Sequence, residues 1–322
     1  MLLETVGTPM LWGGFIAFVL AMLAIDLGVF HRKAHEVSLK EAGAWSAVWV
    51  ALALGFNVAV YAWFGPERAL EFTAGYLIEK ALAVDNLFVF VIIFSAFAVP
   101  LVYQHRVLFW GVLGALAMRA AFILAGGAFL QRFHWAIYVF GGILAITGVK
   151  LLVQRNQEIH PERNPLVRAF QRIIPVSHEP SGGHFVVKRD GRRFATTLLV
   201  ALVAVEVTDV VFAVDSIPAI FAVSSDPFIV FTSNIFAILG LRSLYFLLAG
   251  VIDKFAYLKV GLAFVLIFVG GKMLLTEVFK VPIVASLGII AAILAASVVA
   301  SLLKAPDVGA EAKVVVSTRT PP

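Results

Sequence analysis

The sequence predicts an all-α membrane protein of about nine transmembrane helices, and three observations carry that reading. The 322 residues are 61% hydrophobic and 14% charged, whereas about a quarter of a soluble domain is charged. Mean hydropathy is +0.97. The apolar residues fall in long runs, and about 20 such residues cross roughly 30 Å of hydrocarbon as a helix. The Lys and Arg that fall in loops, finally, sit almost entirely in alternate ones.

The runs lie near 12–30, 43–64, 72–97, 107–129, 135–153, 195–223, 230–250, 258–276 and 282–303. The first reads as a retained helix and not a cleaved signal, because Met1–Leu11 contains no Lys or Arg. It carries Asp26 near its inner end. The second is followed by the third, which holds Glu79, Lys80 and Asp85; the fourth holds Arg119 and the fifth Lys150. The sixth holds Glu206, Asp209, Asp215 and Pro218, the seventh Arg242, and the eighth Lys272. Residues 1–303 are thus expected to form one transmembrane domain. The tail 304–322 has no core-forming pattern and is expected to be disordered.

One set of loops (31–42, 98–106, 154–194, 251–257 and the tail) holds 16 Lys and Arg, the other only Arg68, Arg132 and Lys280. This places the N-terminus outside and the C-terminus in the cytoplasm of a multi-pass protein of the bacterial cell membrane. The net charge of +5 is therefore positive-inside bias and does not call for a nucleic-acid partner. With no cysteine, disulfides and thiolate metal sites are excluded. In the loop 154–194, "PLVRAFQRII" has helical apolar spacing, suited to a membrane surface or a solvated linker helix. "FVVKRDGRRF" signals a hairpin at Asp190-Gly191.

"EKALAVDNLF" at 79–88 has a counterpart in "DVVFAVDSIP" at 209–218: an acid, five residues, then Asp within Ala-Val-Asp-Asn/Ser. The flanks agree. "RAAFILAG" from Arg119 parallels "RSLYFLLAG" from Arg242, and "ITGVKLL" parallels "VGGKMLL", pairing Lys150 with Lys272. Each unit is three helices, 3–5 (about 72–153) and 6–8 (about 195–276). An odd number of crossings makes the copies inverted, an arrangement whose binding sites lie at the repeat interface.

The inversion can bring Glu79 and Asp85 towards Asp209 and Asp215 from opposite directions. Glu206, at i, i+3 from Asp209, adds a fifth carboxylate; Tyr76 stands at its place in the first copy. Pro218 leaves the Val214 carbonyl without its donor, so a helix break is expected there, re-aiming Asp215. These acids either line a path or form buried ion pairs with Lys80, Arg119, Lys150, Arg242 and Lys272. The path is the default for intramembrane carboxylates. Arg119 and Arg242 read as counter-charges, and Lys150 and Lys272, near helix ends, could snorkel.

A site built here uses oxygen: the five carboxylates, then Asn86, Ser216, Ser233, Asn234 and Asp26 as further ligands or their supports. Oxygen-only sites suit Mg²⁺, Ca²⁺ or Mn²⁺. Organic cations or protons alone would satisfy the same residues.

In "EKALAVDN", "GTPMLWGGF" and the block from "VEVTDVVFAVDSIP" to "RSLYFLLAG", the sequence resembles the TerC family of integral membrane proteins, in its Alx-like branch. The resemblance runs from about residue 5 to 303. It implies kinship to LysE-type transporters, an inverted-repeat fold and Mn²⁺ efflux. The family's essential acids then correspond to Glu79, Asp85, Glu206, Asp209 and Asp215. The expectation is a Mn²⁺ exporter, proton-coupled because metal and proton compete for the same oxygens. Manganese is then a transported substrate and not a cofactor, and no enzymatic activity is expected. A membrane-protein assembly factor and a Ca²⁺ transporter are the alternatives.

Overall fold

The computed structural model describes residues 5–30, 38–133, 135–153, 161, 164–177, 182–189, 191–249, 257–279 and 281–303. Of Asp26, Asp85 and Asp215 only the backbone, which is helical, is described. The tail 304–322 lies outside the described residues.

The apolar runs become helices. The first is α1 (Pro9–Phe30), and the second and third are joined in α2 (Leu39–Ala96). Ser38 caps α2, its hydroxyl accepting from Glu41 N at 3.2 Å. Within α2 the chain turns at Gly65, whose φ of 87° and ψ of 177° suit glycine alone. Pro66 then opens the second segment, where a missing N–H costs nothing. The connection expected between two separate helices is therefore a single-residue break.

Helix α3 (Leu101–Arg132) starts directly after Pro100, earlier than its apolar run suggested, and α4 (Ala136–Val153) follows. The expected amphipathic segment is α5 (Pro165–Ile173), capped by the Asn164 side chain accepting from Leu166 N at 2.9 Å. The hairpin signal is matched by β2 (Val186–Arg189) and β3 (Arg192–Thr196), antiparallel with Arg189 opposite Arg192. A short β1 (Val176–Ser177), not expected from the sequence, pairs parallel to β3.

Strand β3 runs straight into α6 (Thr197–Phe221). Contrary to expectation, α6 is not interrupted at Pro218. The proline sits in the last turn; its missing N–H still leaves the Val214 carbonyl without a helical donor, but the chain stays helical as far as Phe221. The interruption comes instead in the next element, which divides into α7 (Pro227–Leu239) and α8 (Leu241–Ala249), bent by 41° about Gly240. Helices α9 (Leu258–Leu274) and α10 (Ile283–Leu303) complete the chain.

Among the described residues, α3, α4, α6 and α10 are long and apolar enough to cross a membrane; counting α7 and α8 as one bent span gives five. Every residue of α7 is buried, so it is the central helix. Around it Phe15, Phe56, Phe72, Phe228 and Phe236 form an aromatic cluster, with Phe56 and Phe236 centroids 5.0 Å apart. The periphery is the reverse of a soluble surface: Leu54, Val58, Ile146, Val284 and Leu303 are all exposed.

Helix α2 packs on α7, α8 and α6, α3 on α6, and α4 most closely on α9. In the last pair a Cβ on Gly270 would lie 2.6 Å from the Gly141 carbonyl, and one on Gly148 2.7 Å from the Ala263 carbonyl. Glycine lets the two backbones touch.

Candidate functional site

The polar side chains meet where α2, α3, α6 and α7 converge. Seven-residue spacing puts Glu79 and Asn86 on one face of α2, and Asp209 and Ser216 on one face of α6. All four are buried, as are Arg119 on α3 and Asn234 on α7.

Arg119 joins them. Its Nη1 donates to Glu79 Oε1 and, at 3.0 Å, to Ser216 Oγ. Its Nη2 reaches Asp209 Oδ1 at 3.5 Å. Asn234 Nδ2 donates to the other Glu79 oxygen at 3.1 Å. Among the described residues, Glu79 is thus doubly bonded, while Asp209 holds a single long contact. Several buried polar atoms have no partner: Asp209 Oδ2, Asn234 Oδ1, Asn86 Nδ2 and Arg119 Nε.

Glu206 is half-buried, and its carboxylate lies against the backbone of Gly114 on α3, where a Cβ would overlap it. On α2, Gly75 leaves room for Ser233, whose Oγ would be 2.7 Å from an added Cβ. Ser233 itself donates to the Val230 carbonyl of its own helix at 3.1 Å, not to the acids. The sequence does not mark Gly75 or Gly114. Each matters only because another helix comes close, and nothing in a Gly/Ala-rich stretch marks such an approach.

The expected counter-charges behave differently from one another. Arg119 bridges acids from both copies of the Ala-Val-Asp unit. Lys80 donates to the Ala237 carbonyl at 3.1 Å, beside the bend at Gly240. A carbonyl in the last turn of α7 lacks a helical donor, so the ammonium satisfies it. Lys150 is exposed, and Arg242 and Lys272 are half-buried. The side chains of Asp26, Asp85 and Asp215 lie outside the described residues. Among the described residues, no group of three or more His, Asp or Glu is arranged around one point as a metal site.

A second polar network ties the N-terminal segment to the α6–α7 turn. Asp226 caps α7, accepting from Phe228 N at 2.9 Å. It also accepts from Thr5 Oγ1 at 3.0 Å and Val6 N at 2.8 Å. Ser224 Oγ donates to Glu71 at 2.6 Å, and Glu71 pairs with Arg68. Burial opposes the Arg68 charge, but Glu71, with Asp226 and Glu67, holds its pKa above the usual guanidinium value.

Long lipid-compatible helices that enclose two buried carboxylates and an arginine define an integral membrane protein with a polar site inside its bundle. The chain belongs to the TerC family of integral membrane proteins, whose model matches residues 64–307 and so takes in the whole of this site. It is 62% identical over 300 residues to the membrane protein STKORF319 of Myxococcus xanthus, covering 93% of this chain and 94% of that one. It is 48% identical over 302 residues to an Escherichia coli (strain K12) protein that bears the name membrane-bound redox modulator Alx, covering 91% and 94%. A membrane protein of Rickettsia felis is 38% identical over 295 residues, covering 92% and 98%. No solved structure matches the chain.

Proposed function

We propose that this chain is a manganese(II) exporter of the cytoplasmic membrane, working by metal–proton exchange at intramembrane carboxylates. The observation that carries the reading is the convergence of Glu79 and Asp209 on one guanidinium. These two acids hold equivalent places in the two copies of the repeated unit. Buried carboxylates are costly and rarely kept without a task. Their chemistry, with Asn86, Ser216 and Asn234 beside them, favours a hard divalent ion over zinc or copper. Glu206, Asp85 and Asp215 would complete the set. Manganese in particular rests on the TerC-family resemblance. Metal and proton compete for the same oxygens, which makes exchange the natural cycle.

The architecture we propose with it is nine crossings containing two inverted three-helix repeats, with the N-terminus outside and the C-terminus in the cytoplasm. Packing supports the repeat. Exchanging the second half of α2 with α6, α3 with α7–α8, and α4 with α9 turns the α2–α7 contact into the α6–α3 contact. Exchange pairs Lys150 with Lys272, hence Gly148 with Gly270 and Gly141 with Ala263. The close Gly141–Gly270 approach then becomes the close Ala263–Gly148 approach.

The E. coli relative's name refers to redox modulation. This chain has no cysteine, so thiol exchange is not its means. Cellular manganese is the discriminating measurement. Cells expressing the protein under manganese load should hold less of the metal than cells without it. Unchanged manganese, together with failed insertion of a membrane-protein client in cells lacking the protein, would favour an assembly role. Lowered calcium with unchanged manganese would favour a Ca²⁺ transporter.

A further inference from the structure

Arg119 takes the carboxylate oxygens that a transported cation would need. Its guanidinium holds Glu79 Oε1 from α2 and Asp209 Oδ1 from α6. A hard divalent ion is opposed at those oxygens while a second positive charge stands within the same few ångströms. We propose that Arg119 is a tethered counter-cation that exchanges with the transported ion. With the ion absent it bridges Glu79 and Asp209; when the ion binds, it must leave. The inference rests on the transport reading above.

Three observations set this arrangement apart from a fixed ion pair. An arginine paired with one carboxylate frequently makes two parallel bonds to it. Arg119 is instead divided between acids on two helices, its Asp209 contact is 3.5 Å, and its Nε has no partner. Two acceptors beside it, Asp209 Oδ2 and Asn234 Oδ1, are buried and receive no hydrogen bond. Buried acceptors are nearly always satisfied, and a cation with several oxygen ligands would satisfy both. Lastly, the bridged acids sit in equivalent positions of the two repeated units, so the guanidinium spans the interface across which such carriers open and close.

The arrangement has a functional consequence. Two buried carboxylates without a counter-charge would destabilise the empty carrier. A tethered guanidinium neutralises them each time the ion departs, so it favours release and weakens binding.

The test is Mn²⁺ binding to the purified full chain in nanodiscs, read from the free-ion electron paramagnetic resonance signal, for the parent, Arg119→Gln, Arg119→Lys and Arg119→Ala. Removing the competing charge in Arg119→Gln should tighten Mn²⁺ binding by about tenfold or more. Arg119→Lys, whose ammonium cannot span both acids, should fall between. Added guanidinium ion should weaken Mn²⁺ binding to Arg119→Ala and leave the parent unchanged. If Arg119→Gln is not recovered as a monodisperse protein, Arg119→Lys, which keeps the charge, carries the comparison. Parent-like or weaker binding in the folded variants would make Arg119 a fixed counter-charge and overturn the proposal alone. A parent that binds neither Mn²⁺ nor any other divalent ion would overturn the transport reading, and the exchange with it.

Discussion

Glu79 and Asp209, far apart in the chain and on different helices, are bonded by the same arginine, but unequally. Glu79 also accepts from Asn234, whereas Asp209 keeps one oxygen without a partner. The asymmetry separates what each acid does for the fold from what it does for a ligand.

Glu79→Gln should therefore destabilise the protein more than Asp209→Asn. Breaking a buried ion pair by removing one partner costs about 3–5 kcal/mol, and the long Asp209 contact has less to lose than the closer one to Glu79. Apparent unfolding temperatures of the two variants in the same detergent check the order. Both should lower Mn²⁺ affinity, because hard ions depend on ligand charge.

Gly114→Ala should impair export while leaving insertion intact. The nearest atoms the new methyl would meet are those at the end of the flexible Glu206 side chain, which can rotate away at small cost but then leaves its present position. Gly142→Ala, with nothing within 4 Å, is the control. Cellular manganese and membrane abundance, measured together for both variants, decide it. Equal export by Gly114→Ala and the parent would remove Glu206 from the path.

At the α4–α9 crossing, Gly270→Ala should be destabilising by about 1–3 kcal/mol, since the methyl would press on backbone that cannot turn aside. Its neighbour Gly271 has open space around it, so Gly271→Ala should be neutral or stabilising by up to about 1 kcal/mol through helix propensity. Thermal unfolding of the pair measures the difference.

Much of this arrangement is legible in the chain, because lipid demands long apolar runs and an unpaired charge inside one stands out. The helices and the pairing of β2 with β3 follow from such local signals. The breaks do not. Pro218 looks decisive, but α6 runs on through it to Phe221 before ending, while the bend at Gly240 has Lys80, from another helix, to satisfy a freed carbonyl. The repeat put Glu79 and Asp209 in equivalent places, yet that Arg119 would hold both depends on how α3 leans between α2 and α6. Gly75 and Gly114 are invisible for the same reason.

Asp226→Ala should release the N-terminal segment. It removes the α7 cap, worth about 1–2 kcal/mol, together with the bonds from Thr5 and Val6. Faster proteolytic cleavage near residues 5–8 is the expected sign. Asp226→Asn, which keeps one acceptor oxygen, should show less.

The central claim is that carboxylates within the bundle carry a divalent metal across the membrane. Mn²⁺ flux into proteoliposomes of purified protein, driven by an imposed pH gradient, tests it most directly. The parent should transport Mn²⁺ in proportion to the gradient, and Asp85→Asn, Asp215→Asn and the double variant Glu79→Gln/Asp209→Asn should lose that flux while remaining monodisperse. No flux by the parent, or undiminished flux by these variants, would contradict the account and leave the acids as structural partners of Arg119.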